Sequence, residues 1–313
     1  MKKILFADSN HDVLHETLRA AGFQCDLFWD KPVEELKALI PGYDGLVLRS
    51  RFKITKDILD AAKNLKCIGR AGAGMENIDV KYAESKGIKC VSAAEGNRDA
   101  VAEHTIGMLL MLFNNLKRAD DEVRKGIWLR AENRGVEIGG KTIGIIGYGN
   151  MGSAFAKRLS GFGCKILVYD KYKKGFGTDQ VIESTMEQLY DECDVVSIHV
   201  PLTEETNYLI NTDFIKRFKK NIYIINTSRG KCLNTSDLMS AISSGKVLGA
   251  CLDVLEYESV SFEKLDSAKL PEPMQQLIKS DKVILSPHIA GWTHESNYRI
   301  SKIIAEKMIE VLK

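Results

Sequence analysis

The chain has 313 residues, 44% of them hydrophobic, and a formal net charge of +2 at pH 7. This length is about twice that of an ordinary single domain, so we expect two domains, each with enough apolar residues for a core. A near-neutral charge without a long basic run argues against nucleic acid or an anionic membrane surface as a partner. The N-terminal apolar stretch is too short for a signal peptide, and no apolar run approaches membrane-spanning length.

Seven cysteines are scattered along the chain without C-x-x-C spacing. Several lie within apolar, strand-like runs, as in Lys89-Cys90-Val91. An odd, dispersed set is typical of reduced, buried thiols and provides no ligand set for a metal. We therefore expect a cytoplasmic protein with neither disulfides nor a metal site.

Strand-like and helix-like segments alternate through the first hundred residues, the pattern of a parallel sheet covered by helices. The predicted strands are residues 4–7, 45–48, 66–68 and 88–91, and the predicted helices are residues 11–21, 55–62 and 80–86. A single long helix is predicted next, over residues 99–123. Because its segment 108–113 is apolar throughout, we expect this helix to pack against another domain or subunit.

Residues 142–170 carry the most informative pattern of the chain, TIGIIGYGNMGSAFAKRLSGFGCKILVYD. An apolar strand leads into Gly147, Gly149 and Gly152, a helix follows, and a second apolar strand ends at Asp170. In a dinucleotide-binding unit the glycines permit a tight turn, close approach of the pyrophosphate and close helix packing, while the terminal acid binds the adenosine ribose. An acid there also repels a 2′-phosphate, so NAD is the expected cofactor. Glycines alone are weak support, but the complete unit is specific.

Further strands are predicted in the second half of the chain, at residues 195–200, 222–226, 248–254 and 283–285, before a final amphipathic helix at 293–312. The intervening loop 259–282 is long and reads as an insertion, which is usually functional or mobile. The whole pattern predicts an α/β protein with doubly wound parallel sheets.

Three candidate catalytic side chains follow successive predicted strands: Arg229, Glu258 and His288. Ligands of open α/β sheets bind at the carboxyl ends of the strands, so these side chains are expected near the glycine turn. A guanidinium binds a carboxylate and polarises a carbonyl, a histidine exchanges a hydroxyl proton, and a carboxylate orients that histidine. The set therefore suits hydride transfer.

Each candidate also has an ordinary structural interpretation. His288 could be a solvated loop histidine, Glu258 an exposed acid, and Arg229 a ligand of backbone carbonyls. His199 is expected to border the cofactor but has no acid near it in the sequence. The remaining histidines are weaker candidates: His11, His15, His104 and His294.

The chain resembles the D-isomer-specific 2-hydroxyacid dehydrogenase family along essentially its whole length. The resemblance rests on LRS at 48–50, GRAGAGMENID at 69–79, GNRDAVAEH at 96–104, GYGNMG at 147–152, SIHVPLT at 197–203, INTSRG at 225–230, CLDV at 251–254 and SPHIAG at 286–291. It implies a Rossmann NAD domain, residues 99–288, inserted into a smaller flavodoxin-like substrate domain, residues 1–98 and 289–313. It also implies a homodimer or higher homo-oligomer.

The resemblance makes Arg229, Glu258 and His288 catalytic, and selects Glu258 over Glu256. It implies that Ala73 and Gly74 form a main-chain carboxylate site. The cofactor-binding residues that it implies are Gly147, Gly149, Asn150, Met151, Gly152, Asp170, Val200, Thr227, Ser228, Arg229, Asp253, His288 and Gly291.

The favoured substrate pair is 3-phosphoglycerate and 3-phosphohydroxypyruvate, which implies a place in serine biosynthesis. Arg49 and Arg51, with Ser50 between them, are the expected phosphate contacts. Three departures from the family pattern are Ala73 in place of a frequent threonine, Ser259 in place of proline, and the long loop 259–282. The alternatives are a glyoxylate or hydroxypyruvate reductase and a non-catalytic NAD-sensing protein of the same fold.

Overall fold

The computed structural model describes residues 1–258 and 270–313. In this part the chain forms two compact units: a first unit of residues 1–98 and 292–313, and a second unit of residues 99–258 and 270–291. The chain returns to the first unit after Gly291 rather than after residue 288, because the amides of Ile289 and Ala290 bond to the Asp253 carboxylate of the second unit.

The first unit contains a five-stranded parallel sheet in the order β2-β1-β3-β4-β5. This order is flavodoxin-like and puts the switch point, where ligands bind in such folds, between β1 and β3. Buried apolar clusters cover both faces of the sheet. The elements are β1 (Lys3–Phe6), α1 (Val13–Ala20), β2 (Gln24–Leu27), α2 (Val33–Leu39), β3 (Gly45–Leu48), α3 (Lys56–Ala61), β4 (Cys67–Arg70), α4 (Val80–Ser85) and β5 (Lys89–Ser92).

The second unit contains a seven-stranded parallel sheet in the order β12-β11-β10-β9-β6-β7-β8. This is the Rossmann order, extended by one strand, with its switch point between β6 and β9. Its elements, after α5 (Ala94–Phe113) and α6 (Leu116–Arg124), are β6 (Thr142–Ile146), α7 (Asn150–Leu159), β7 (Lys165–Tyr169), β8 (Ile182–Glu183), α8 (Met186–Glu192), β9 (Val195–Ile198), α9 (Thr212–Lys216), β10 (Ile222–Asn226), α10 (Thr235–Ser243), β11 (Val247–Leu252), α11 (Glu272–Lys279) and β12 (Val283–Leu285). Helix α12 (His294–Leu312) completes the first unit.

The predicted single helix over residues 99–123 is wrong, because the chain forms two helices there, α5 (Ala94–Phe113) and α6 (Leu116–Arg124). Asn115 between them adopts a left-handed backbone with φ of 51°, which ends the first helix. The apolar residues near the end of α5 are buried in the core of the second unit itself, as for Leu109 and Phe113. Met111 of α5 is 37% exposed, and the more exposed apolar residues lie on α6 and in the segment after it.

The predicted insertion at residues 259–282 lies partly outside the described residues, and Glu272–Lys279 within it forms α11. Strand β2 and helix α2 have no counterpart among the predicted elements, since QCDL alternates too weakly to signal a strand. No helix in the described part of the chain combines the length and the apolar character that crossing a membrane requires.

Candidate active site

The glycine turn after β6 has the shape that a dinucleotide site requires. Gly147 has φ of +95°, and a Cβ there would come within 2.6 Å of the His199 carbonyl oxygen. A Cβ on Gly152 would lie 2.0 Å from the Gly147 carbonyl oxygen, so α7 packs on the turn only because this residue is glycine. A Cβ on Gly149 would meet no atom within 4 Å, which leaves bare backbone before the first residue of α7, Asn150. The turn therefore fits a pyrophosphate at the helix N-terminus.

Asp170, the acid after β7, is held firmly beside this turn. One carboxylate oxygen accepts the Tyr148 N–H at 2.7 Å, and the other accepts those of Tyr172 and Lys173 at 2.9 Å. Burial opposes ionisation, but these three donors outweigh it and hold the pKa of Asp170 below its ordinary value. The acid is ionised and fixed in the position expected for a ribose ligand.

His199, directly after β9, is buried beneath the glycine turn. Burial lowers its pKa from 6.5 to about 4, so the ring is neutral near pH 7. Its Nε2 lies 2.8 Å from the Ser197 hydroxyl, whereas its buried Nδ1 has no hydrogen-bond partner in the described part of the chain. A buried neutral ring of this kind supports the turn and is a poor proton exchanger at physiological pH.

The structure brings His288 and Glu258 together. The His288 Nδ1 lies 3.3 Å and 3.2 Å from the two carboxylate oxygens of Glu258, and both side chains are about three-quarters or more buried, with 25% and 19% exposed. Glu256 faces elsewhere, since it accepts the Tyr208 hydroxyl and the Thr235 N–H, each at 2.9 Å. Geometry thus favours Glu258 over Glu256 as the acid beside the histidine.

The loop that carries Arg229 is fixed by the side chain at the end of β10. The amide of Asn226 donates to the Arg229 carbonyl at 2.9 Å and accepts from the N–H and hydroxyl of Ser228. A Cβ on Gly230 would lie 2.0 Å from the Leu255 carbonyl oxygen, so this loop packs directly against the loop that leads to Glu258. The loops of two predicted catalytic residues are therefore neighbours.

Asp253 organises the backbone around His288. It is 2% exposed, and its carboxylate accepts the N–H groups of Ile289 and Ala290 at 2.9 Å and the Ser286 hydroxyl at 2.6 Å. Its own carbonyl accepts the His288 N–H at 2.7 Å. His288 has φ of 57°, an unfavourable value for histidine that costs about 1–3 kcal/mol and persists only where the surroundings hold it. Asp253 provides that restraint.

Arg49 and Arg51 both follow β3 in the first unit, but their guanidinium groups differ in how many hydrogen-bond donors remain available to a ligand. The Arg51 guanidinium donates to the carbonyls of Ala7 (3.3 Å) and Trp29 (2.7 Å), as well as to Lys31. It therefore holds neighbouring loops, and the predicted phosphate contact of Arg51 is not supported.

The Arg49 guanidinium lies 4.8 Å from the centre of the Trp292 ring, and no acceptor in residues 1–258 or 270–313 hydrogen-bonds it. The Arg49 N–H donates to Asp8 at 2.5 Å, which fixes the backbone of the loop. Burial lowers the pKa of Arg49, although a guanidinium stays charged. Arg49 therefore remains a suitable anion ligand.

The remaining predicted site residues lie at the same two sheet edges. Ser50 follows β3, and Ala73 and Gly74 lie in the bend after β4, all in the first unit. In the second unit Val200 follows β9, Met151 lies in the first turn of α7, and Gly291 ends the segment after His288. Thr227, which follows β10, is buried with its hydroxyl 3.2 Å from that of Thr105.

Four supporting residues escaped the sequence analysis, namely Asn226, Ser286, Asp8 and Trp292, and His104 was predicted only as a weaker candidate. Their position next to a strand end was a usable signal for Asn226, Ser286 and Asp8, whereas nothing in the sequence indicates the pairing of Trp292 with Arg49. Within the described ranges, no group of three His, Cys, Asp or Glu side chains is arranged to hold a metal ion.

A Rossmann sheet with a dinucleotide turn and a histidine–carboxylate pair at one edge defines an NAD-linked oxidoreductase. Residues 106–290 match the NAD-binding domain of D-isomer specific 2-hydroxyacid dehydrogenases. The chain belongs to this family, whose members are NAD-dependent oxidoreductases acting on the CH–OH group of a 2-hydroxy acid.

Two curated relatives and one solved structure show the range of activities among similar proteins. The chain is 39% identical to a hydroxypyruvate reductase of Thermotoga maritima over 89% of this chain and 88% of that protein. It is 34% identical to a D-3-phosphoglycerate dehydrogenase of Archaeoglobus fulgidus over 99% of this chain but only 57% of the longer protein. The crystal structure of an Aquifex aeolicus D-lactate dehydrogenase with NAD and lactic acid superposes with a TM-score of 0.81, at 31% identity, over 99% of this chain and 94% of that one.

Proposed function

We propose that this protein interconverts a D-2-hydroxy acid and its 2-keto acid, with His288 as the group that exchanges the hydroxyl proton. The observation that carries the proposal is the His288–Glu258 contact of 3.2 Å at the sheet edge that also bears the glycine turn. When bound, NAD supplies the hydride acceptor or donor. We propose that the second unit binds this cofactor and that the first unit binds the substrate.

Each catalytic side chain has a distinct task in this proposal. In the oxidative direction, the neutral Nε2 of His288 accepts the proton of the C2 hydroxyl, since Nδ1 faces Glu258. The Glu258 carboxylate stabilises the imidazolium that forms. Arg229 binds the substrate carboxylate and polarises the developing carbonyl. In the reductive direction His288 returns the proton.

For the substrate, we propose 3-phosphoglycerate and 3-phosphohydroxypyruvate. Arg49 supports this choice, because its charged guanidinium is held over Trp292 and has no hydrogen-bonded acceptor in the described residues. A phosphate carries close to two negative charges near neutral pH and needs such a cation. Ala73 and Gly74 are proposed to offer their N–H groups to the carboxylate.

A second candidate is hydroxypyruvate or glyoxylate reduction. It is favoured by the engagement of Arg51 with backbone carbonyls, which removes one of the two cations expected for a phosphate. Of the two arginines expected to bind a phosphate, only Arg49 then remains available, and a substrate without a phosphate does not need the second.

An NADH-oxidation assay with four keto acids separates these proposals. Phosphohydroxypyruvate should give a kcat/KM at least about tenfold above hydroxypyruvate, glyoxylate and pyruvate, roughly 1.4 kcal/mol of discrimination. A preference for hydroxypyruvate or glyoxylate would establish the second candidate. NADH binding without turnover of any of the four acids would contradict both.

We also propose a homodimer that uses α6 and the segment after it. This helix buries none of its residues in its own unit, and the apolar residues exposed there are Leu116 (52%), Val123 (53%), Ile127 (42%), Trp128 (75%) and Leu129 (43%). Such a patch on a monomer commonly marks an interaction surface. Sedimentation should show a dimer at micromolar concentration that Trp128→Ser weakens and Tyr172→Ser, at an exposed aromatic elsewhere, does not. A monomeric wild type would refute the proposal.

A further inference from the structure

His104 has no part in the proposed chemistry, yet it contacts the segment that carries His288. It belongs to α5, in the second unit, and its side chain is 25% exposed. Its Nε2 is 2.9 Å from the Ser286 hydroxyl, which is itself 2.6 Å from an oxygen of the Asp253 carboxylate, and the same Nε2 lies 3.6 Å from that oxygen, beyond hydrogen-bond distance. The three side chains form a continuous chain of hydrogen bonds.

The direction of these hydrogen bonds follows from their donors and acceptors. An ionised carboxylate only accepts, so the single hydroxyl proton of Ser286 is donated to Asp253. The serine oxygen is then the acceptor for His104, whose Nε2 must carry a proton. The sulfur of Met108, 3.7 Å from the same hydroxyl, is a weak acceptor and does not compete with a carboxylate at 2.6 Å.

Asp253, at the other end of this series of hydrogen bonds, restrains His288. The Asp253 oxygen that accepts from Ser286 also accepts the Ile289 N–H, and the other oxygen accepts the Ala290 N–H. These two amides directly follow His288, which holds a left-handed backbone. A shift of the Asp253 carboxylate therefore displaces the segment that aims the imidazole.

We infer that His104 is a positioning residue that acts on His288 through Ser286 and Asp253. A serine hydroxyl turns to suit its partners, and an N–H donor at its oxygen disfavours the orientations that would point its proton away from Asp253. His104, fixed on a 20-residue helix, engages the acceptor function and so holds the hydroxyl proton on Asp253. The inference rests on the proposed role of His288.

The test compares His104→Leu, which removes the donor, with His104→Gln, whose amide N–H reaches a similar position. His104→Leu should lower kcat about 10- to 100-fold, the scale expected for a small misplacement of a catalytic group. The KM for NADH should change less than about twofold, because the glycine turn and Asp170 are untouched. His104→Gln should recover kcat to within about threefold of wild type, since it restores the hydrogen bond to Ser286.

Two controls separate the possible failures. Glu103→Gln changes an exposed neighbour on the same helix that pairs with Arg158, and it should leave kcat unchanged. If His288→Ala retains full turnover, the proposed function itself is wrong. If His288→Ala is inactive while His104→Leu matches wild type, only the positioning role of His104 is refuted. Equal losses in His104→Leu and His104→Gln would also overturn it, because a hydrogen-bond donor would then not suffice.

Discussion

The carboxyl edges of the two parallel sheets both carry charged side chains, but these side chains are engaged differently. At the edge of the second unit, Asp170 and Arg229 also bond to backbone groups, but His288 bonds to the side chain of Glu258. At the edge of the first unit, charged groups bond mainly to backbone: Asp8 accepts the N–H of Arg49, and Arg51 donates to carbonyl oxygens. The Arg49 guanidinium there lies against the Trp292 ring and has no hydrogen-bonded acceptor in the described residues.

This difference shows what decides whether a charged residue can bind a ligand. A guanidinium has five N–H donors, and once carbonyls occupy most of them it contributes to the fold and not to recognition. A carboxylate in contact with an imidazole, by contrast, interacts more strongly when the imidazole gains a proton, so the pair can take part in proton exchange. We therefore expect the hydrogen-bonding capacity that remains available, rather than charge or position alone, to distinguish ligand-binding from structural residues at both edges.

The largest effect is expected from removing the imidazole of His288 at the carboxyl edge of the second unit's sheet. His288→Ala should lower kcat by about a hundredfold or more, the usual contribution of a general acid–base group. NADH binding, followed by protein fluorescence, should persist because most of the proposed cofactor contacts lie at the glycine turn and Asp170. His294→Ala, at an exposed histidine of α12, is the matched control and should keep full activity. A retained kcat in His288→Ala would remove the functional distinction between the two edges.

The two arginines at the carboxyl edge of the first unit's sheet, Arg49 and Arg51, should differ in whether their removal affects substrate binding or stability. Arg49→Ala should raise the KM for phosphohydroxypyruvate by about 10- to 150-fold, or about 1.5–3 kcal/mol for a hydrogen bond to a charged group. Arg51→Ala should instead lower the thermal unfolding temperature, because the carbonyls of Ala7 and Trp29 lose a charged donor.

Hydroxypyruvate serves as the control substrate for this pair, since it has no phosphate. Its KM should be nearly unchanged in Arg49→Ala. Equal losses on both substrates would assign Arg49 a structural role, and a large KM effect of Arg51→Ala on the phosphorylated acid alone would reverse the assignment of the two arginines.

Much of the fold could be predicted from local sequence. The strands 45–48, 222–226 and 283–285 have the observed limits, since short apolar runs bounded by turn residues are strong signals. The break at Asn115 was missed because asparagine in a left-handed conformation leaves no mark on the apolar pattern. The core contacts of α5 were missed for a related reason: an all-apolar run does not reveal what covers it.

The candidate site could be predicted as a set of residue types at strand ends, but not as a network. Glu258 and His288 follow different strands, and the topology of the sheet brings their loops together. The engagement of Arg51 and the stacking of Arg49 on Trp292 depend on tertiary contacts between residues far apart in the sequence. The sequence shows which functional groups are present, whereas tertiary packing decides which of their hydrogen-bond donors and acceptors are already used within the protein.

A smaller effect is expected from His199, a histidine at the carboxyl edge of the second unit's sheet that has no acidic partner within residues 1–258 and 270–313. Its pKa of about 4 in the folded state lies below the ordinary value of 6.5, so the unfolded chain binds the proton more tightly. Its contribution to stability is therefore complete above about pH 6.5 and is lost as the pH falls towards 4, amounting to about 2 kcal/mol at pH 5.

Urea unfolding at pH 7 and pH 5 measures this loss. His199→Gln should lose about 2 kcal/mol less than wild type between the two pH values, whatever its stability at pH 7. His294→Gln, at an exposed histidine, should follow the wild-type pH dependence. A wild-type loss that His199→Gln leaves unchanged would show that His199 is not the responsible group.

The smallest effect concerns cofactor choice at Asp170, a carboxylate that backbone donors hold much as they hold Asp8. Because three N–H groups fix it in the ionised form, it should repel the 2′-phosphate of NADP and favour NAD by at least about tenfold, or roughly 1.4 kcal/mol. Asp170→Asn keeps one oxygen acceptor but removes the charge, so the preference should shrink towards equality. Asp179→Asn, at an exposed acid of the same segment, should leave the ratio unchanged. Equal kcat/KM for NAD and NADP in the wild type would mean that, like Arg51 in the first unit, Asp170 is engaged by its own backbone and contributes nothing to cofactor recognition.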